Sequence, residues 1–189
     1  MRNYISKATI LPTDRTSDYH REITFYVDGK NKQEAESNVM EQLGRTLLHN
    51  NKNLYLKNLR TSLVKGNRDS WDVQCELGLQ WQESTGWDDG FMDIRKRTFV
   101  VFSHVVDMDR RYAYLMNFLV SARISDDAFK QAEQYLYSRK LRYYEDTYNA
   151  TCTDREEAVK DAESLPVFKK DAKCFYSKEG PTQGKIDLR

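Results

Sequence analysis

Residues 95–122 read RKRTFVVFSHVVDMDRRYAYLMNFLVSA, and the way this stretch divides decides the fold. In an extended chain Phe99, Val101 and Val105 share one face while Val100, Phe102 and Val106 share the other. Residues 95–106 therefore read as a strand covered on both sides. Residues 107–110, DMDR, make a short connection. From 112 to 122 the chain alternates again, with Tyr112, Tyr114, Met116, Phe118 and Val120 on one side. Two strands joined by so short a link predict an antiparallel pair.

Toward the N-terminus, the clearest alternation in the chain spans residues 71–82. Trp71, Val73, Cys75, Leu77, Leu79 and Trp81 interleave with Asp72, Gln74, Glu76, Gly78, Gln80 and Gln82. A period of two held this long predicts a strand with one wet face. It also places Cys75 among the apolar residues, as a packed thiol rather than a nucleophile. Between this strand and the next, residues 83–93, ESTGWDDGFMD, carry two glycines and several short polar residues, which marks a loop. Three strands in sequence then form an antiparallel meander.

Helices flank this sheet. After residues 28–31, DGKN, the positions Ala35, Val39, Leu43 and Leu47 recur every four residues, predicting an amphipathic helix over 33–48. Ser125 suits a helix N-cap, with Asp126 and Asp127 in the first turn where the macrodipole favours negative charge. Phe129, Ala132, Leu136 and Tyr143 continue that stripe to about residue 144. Thr153 reads as the cap of a shorter helix with Ala158, Ala162 and Leu165, stopped by Pro166. Residues 3–11 and 20–27 read as strands, whereas 53–65 fits either a strand or renewed helix.

An internal echo follows. Residues 3–48 and 97–144 both read strand, strand, helix, and Glu34-Ala35, Asp127-Ala128 and Glu157-Ala158 open the helices alike. Because an acidic residue followed by Ala is a good helix start, two similar packing solutions are preferred over duplication. The expected architecture is α+β: an antiparallel sheet of five to seven strands, with two longer helices and one short helix packed on it. Residues 1–178 read as a single domain, with two similar strand–strand–helix halves as a variant of that plan. Residues 179–189, EGPTQGKIDLR, read as a polar tail that frays.

Composition bounds the function. Thirty basic against 29 acidic residues give a net charge of +1, so no global field draws the protein to nucleic acid or membrane. The charge is nevertheless segregated: +4 over residues 1–66, −5 over 67–109, +3 over 110–145 and −1 over 146–189. Three cysteines without CxxC spacing suggest neither a disulfide framework nor a zinc site. No signal-peptide core opens the chain, and no apolar run approaches the roughly 20 residues of a membrane span. A cytoplasmic protein is expected.

Catalytic signals are absent from the sequence. There is no GxSxG, HExxH, GxGxxG or GxxxxGK[ST], so neither a cofactor nor a catalytic residue is expected. His104 shares a strand face with Val100, Phe102 and Val106 and reads as a hydrogen-bonded core histidine. His20 opens a strand, and His49 closes a helix. Glu83, Asp88, Asp89 and Asp93 could hold a hard cation for metal-dependent hydrolysis, but their spacing is ordinary turn chemistry, so no metal is expected.

Binding signals are stronger. Trp87, among Asp88 and Asp89, either tucks over the sheet or stands out as an anchor for a protein partner. Tyr135, Arg139 and Arg142 fall on one flank of the expected long helix, spaced i, i+4 and i+7, with Lys140 and Tyr144 nearby. Rings and guanidinium groups there could stack on unpaired bases while the charge meets phosphate, an RNA- or single-strand-binding alternative. The leading expectation is a non-catalytic interaction protein with a protein partner. Compact chains of this size without recognisable motifs suit a bacteriophage or mobile-element inhibitor or adaptor.

Overall fold

The computed structural model describes residues 1–13, 20–48, 53–79, 90–107, 113–143, 151–168 and 183–189. The fold is α+β. Where the sequence reads as one domain with one antiparallel sheet, the chain forms two compact units, Met1–Arg95 and Lys96–Arg189, each with its own mixed sheet.

The first unit runs β1 (Arg2–Pro12), β2 (Arg21–Gly29), α1 (Lys32–Leu43), β3 (Leu54–Leu63), α2 (Ser70–Glu76) and β4 (Phe91–Asp93), with a π-helical turn over Gly44–Leu48 after α1. Its sheet order is β3-β1-β2-β4, antiparallel except for β4, which runs parallel to β2. Asn31 starts α1 by accepting the Glu34 N–H at 2.9 Å, which satisfies one of the free donors of the first turn. The open question over 53–65 resolves as strand.

Ile5 and Tyr26 pack with Val73 of α2, and Val64, Leu77 and Phe91 border that cluster. Ile23, Phe25 and Val27, whose side chains point to the opposite face, are no more than 1% exposed. That second face must be covered, and α1, which packs on β1, β2 and β3, covers it with Ala35, Val39 and Leu43. The contact is close at Gly29, where a Cβ would meet the Ala35 backbone nitrogen at 2.8 Å.

The second unit runs β5 (Arg97–Asp107), β6 (Ala113–Ala122), α3 (Ser125–Ser138), β7 (Leu141–Tyr143), β8 (Thr151–Thr153), α4 (Glu156–Ser164) and β9 (Gln183–Asp187). Strands β7 and β8 both pair antiparallel with β5, and β9 lies parallel to β6. Phe99, Val101, Val105, Met116, Phe118 and Val120 bury one face beneath Ala128, Ala132 and Leu136 of α3. Val100 and Leu119 bury the other beneath Val159 and Ala162 of α4. Each fully buried side chain of this kind contributes about 1.5–3 kcal/mol relative to leaving it in water. The central, doubly covered strand expected from residues 95–106 is β5.

The two units share a topology. In each, a hairpin is followed by a long helix, an antiparallel strand on the first strand's free side, a short helix on the opposite face, and a parallel strand on the second. The likeness therefore extends beyond the strand–strand–helix halves visible in the sequence.

Four local readings are corrected. Of the expected strand 71–82, residues 71–79 form no strand and 80–82 lie outside the described residues: Ser70–Glu76 is the helix α2, capped by Asp69, which accepts the Asp72 N–H at 2.8 Å. Cys75 is accordingly exposed rather than packed in a core. The helix opening at Ser125 ends at Ser138, and Lys140 takes a left-handed φ of 55° that turns the chain into β7. Instead of fraying, Gln183–Asp187 forms β9, with Ile186 fully buried.

Smaller differences concern caps. Ile124 occupies the N-cap of α3 and Ser125 its first turn, with no side-chain cap. Thr153 lies ahead of α4 and accepts the Arg155 N–H at 3.2 Å. Among the described residues no helix is long and apolar enough to cross a membrane.

Candidate partner-binding edge

The residues expected to bind nucleic acid do not form one helix face. Tyr135 is half-buried on α3, its ring 5.8 Å from that of Phe118, and Arg139 follows the helix with its guanidinium 5.6 Å from the Tyr135 centroid. Burial pushes the Tyr135 phenol above its ordinary pKa, against the nearby Arg139 charge. Lys140 sits in the turn, Arg142 lies on β7 opposite Val106, and Tyr144 falls outside the described residues. A helical spacing drawn through residue 144 cannot survive a strand beginning at Leu141.

Trp87, Asp88, Asp89, Glu83 and His49 also lie outside the described residues. Asp93 is described, and it ion-pairs with Arg95 at 2.7 Å. His104, expected in the core, is exposed: α4 covers its sheet face at Val100 and Leu119, two strand positions short of the imidazole. Among the described residues no group of three His, Cys, Asp or Glu side chains converges on a metal position. Cys152 packs at the margin of the second unit's core, where burial, aided by Asp154 and Asp126, pushes its thiol up to about 11.

A polar cluster in the first unit is satisfied within itself. Arg95 donates to both Asp93 oxygens and, at 3.1 Å, to the Arg68 carbonyl, which also accepts the Tyr26 hydroxyl at 2.7 Å. Burial works against the Arg95 charge, but the Asp93 hydrogen bonds and charge outweigh it and hold its pKa above the ordinary value. Arg68 in turn bonds Glu76. The cluster fastens the segment ahead of α2 to the sheet.

A different surface carries backbone groups that have no partner among the described residues. β3 is an edge strand ten residues long, against three residues each for β7 and β8, which take the equivalent place in the second unit. The Val64 N–H donates to the Asn3 carbonyl at 2.8 Å, so this pair is hydrogen-bonded, and every second pair along the ladder repeats it. Ser62, Arg60 and Asn58 thus direct their backbone groups toward β1. Leu59, Thr61 and Leu63 turn theirs outward, and among the described residues nothing pairs with them.

Side chains on this edge divide by face. Leu59, Thr61 and Leu63 share the α1 side with Ala8, Ser6 and Tyr4, and Leu63 is 53% exposed. Thr61 and Ser6 exchange a hydroxyl hydrogen bond at 2.9 Å. On the α2 side Arg60 stands directly opposite Lys7. Both are exposed, and neither has an ion-pair partner among the described residues. Like charges in that relation repel, so the pair is a local cost to the sheet.

The sequence carried a signal for this surface that charge sums over long segments blur. Residues 42–68, QLGRTLLHNNKNLYLKNLRTSLVKGNR, hold six Lys or Arg and no Asp or Glu. The chain matches no protein-family model and no curated protein.

Proposed function

We propose that this protein is a non-catalytic inhibitor or adaptor that binds a protein partner by accepting one of the partner's segments as an added strand on β3. The observation that carries this reading is the outward row of backbone groups at Leu59, Thr61 and Leu63 on a long edge strand. Edges of this kind are usually blunted by bulges, lysines or short length. Here the bulge lies between Thr9 and Ile10 and the exposed Lys57 sits beside it, which blunts only the first half of β3. The half from Asn58 to Leu63 stays regular, a length suited to strand addition. The exposed free thiol of Cys75 fits a reducing compartment, so the cytoplasm is the proposed location.

A nucleic-acid partner is the second reading, favoured by the basic run 42–68 rather than by the α3 residues. The two part on the backbone, because phosphates can meet Lys7 and Arg60 but cannot pair with an alternating row of N–H and C=O groups. The test is a selection of seven-residue peptides from a randomised display library, counter-selected on Thr61→Pro, which removes an outward N–H. Enriched peptides should slow amide exchange at Leu59, Thr61 and Leu63. Recovery of no peptide that depends on this edge would refute the reading.

A further inference from the structure

The two faces of β3 differ chemically, and an incoming strand must match both. Resting on the proposal that β3 accepts a strand, we infer that its ligand is an extended acidic peptide segment in which apolar and acidic residues alternate. In an added strand, the residue opposite Arg60 projects to the α2 side, where Arg60 and Lys7 stand opposite each other with no ion-pair partner among the described residues. A carboxylate there meets Arg60 directly and lies one strand further from Lys7, within reach of a lysine side chain. It would relieve the repulsion between the two cations as it binds. The residues on either side of that carboxylate project to the α1 side beside Leu59, Thr61 and Leu63, where an apolar side chain covers the exposed Leu63.

A second copy of this chain is a poorer occupant. Antiparallel pairing of β3 with itself must set outward-facing residues against one another, so its symmetry axis passes through a residue, and centred on Arg60 it sets the two Arg60 side chains directly opposite. Centred on Leu59, it brings the two Arg60 side chains diagonally together. Registers through the regular half of the strand therefore juxtapose like charges. Nucleic acid supplies the anion but leaves the outward carbonyls of Leu59, Thr61 and Leu63 facing phosphate.

The experiment uses the full chain and three capped, fluorescent seven-residue peptides: one alternating Glu and Val, one alternating Lys and Val, and one with the Glu residues grouped together. Anisotropy at low salt reads affinity, and amide exchange at Leu59 and Thr61 reads location. The alternating Glu peptide is expected to bind about ten-fold or more tighter than the other two. Arg60→Gln should cut that preference, and Arg60→Glu should reverse it toward the Lys peptide. Urea midpoints confirm that both variants are folded.

If peptides protect Leu59 and Thr61 but the Glu and Lys versions bind alike, the acidic preference is wrong while strand addition stands. If no peptide protects those amides, both readings fall. Tighter binding of a single-stranded oligonucleotide, lost in Arg60→Gln, would overturn the peptide in favour of nucleic acid. A dimer of the free chain that Thr61→Pro dissolves would overturn it in favour of self-pairing.

Discussion

The Arg95 guanidinium lies 4.0 Å from the centroid of the Tyr26 ring while its nitrogens bind Asp93 and the Arg68 carbonyl. A cation over a π face gains about 0.5–2 kcal/mol according to how dry the site is. Here the same side chain also neutralises Asp93, which is only 8% exposed. Removing either charge takes the ion-pair partner from the other. Arg95→Met is therefore expected to cost about 2–4 kcal/mol in urea unfolding, toward the lower range for a broken buried pair because Arg95 remains 20% exposed. Asp93→Asn in the Arg95→Met background should cost much less than Asp93→Asn alone. Additive losses would show that the two charges are not coupled.

Gly184 illustrates a glycine required by space rather than by backbone angle. A Cβ there would meet the Pro166 carbonyl oxygen and the Phe168 ring, both at 2.8 Å. The ring belongs to the second unit's core, and the Pro166 carbonyl accepts the Lys185 N–H at 2.9 Å. Neither can retreat without losing packing or a hydrogen bond. Gly184→Ala is expected to lower stability by about 1–3 kcal/mol, the usual cost of overpacking. Gly44→Ala, where the added methyl meets nothing within 4 Å, is the control and should be neutral or slightly stabilising.

Legibility in the sequence followed the length and regularity of each element. β5 and β6 were readable because ten or more residues kept a strand pattern and their link was short. Residues 71–82 misled because alternation at i, i+2 and i+4 also contains the i, i+4 spacing of a helix. In α2 it is Val73 and the following Leu77 that join one cluster, while Trp71 and Cys75 are exposed. The Asp69 cap was the helix signal, but one residue weighs little against six alternating ones. The end of α3 was hidden for another reason. Helices commonly stop at Gly, whereas Lys140 adopts the left-handed turn here and pairing of β7 with β5 outweighs the local preference. The basic run 42–68 was legible, but the edge position of β3 was not, because an edge is a property of sheet order and no local pattern marks β3 as the last strand.

The cysteines should separate by reactivity. With the Cys152 thiol pushed up to about 11, its thiolate fraction at pH 8 is smaller than that of an ordinary thiol near 8.5 by a factor of roughly 200. Because the pKa is raised, the neutral form persists through neutral pH, and the thiolate fraction climbs about ten-fold per unit until the pH reaches that value. In a Cys174→Ser background, a disulfide reagent at pH 8 should label the exposed Cys75 rapidly and Cys152 slowly. Equal rates at the two sites would contradict the burial of Cys152.

Lys7 and Arg60 make a prediction about stability that is independent of any ligand. Directly opposed like charges on an antiparallel pair cost a few tenths to about 1 kcal/mol, and salt screens the repulsion over a length of about 10 Å at 0.1 M. The parent should therefore gain stability between low and moderate salt, and Lys7→Glu should gain it already at low salt by replacing repulsion with a cross-strand ion pair. The charge reversal removes one of the two cations proposed to receive a carboxylate, so a more stable Lys7→Glu chain should bind the acidic peptide less tightly. Opposite movement of stability and affinity in one variant is the signature of a charge pair kept for binding. If Lys7→Glu destabilises the fold, or leaves both quantities unchanged, the two side chains do not interact across the strands.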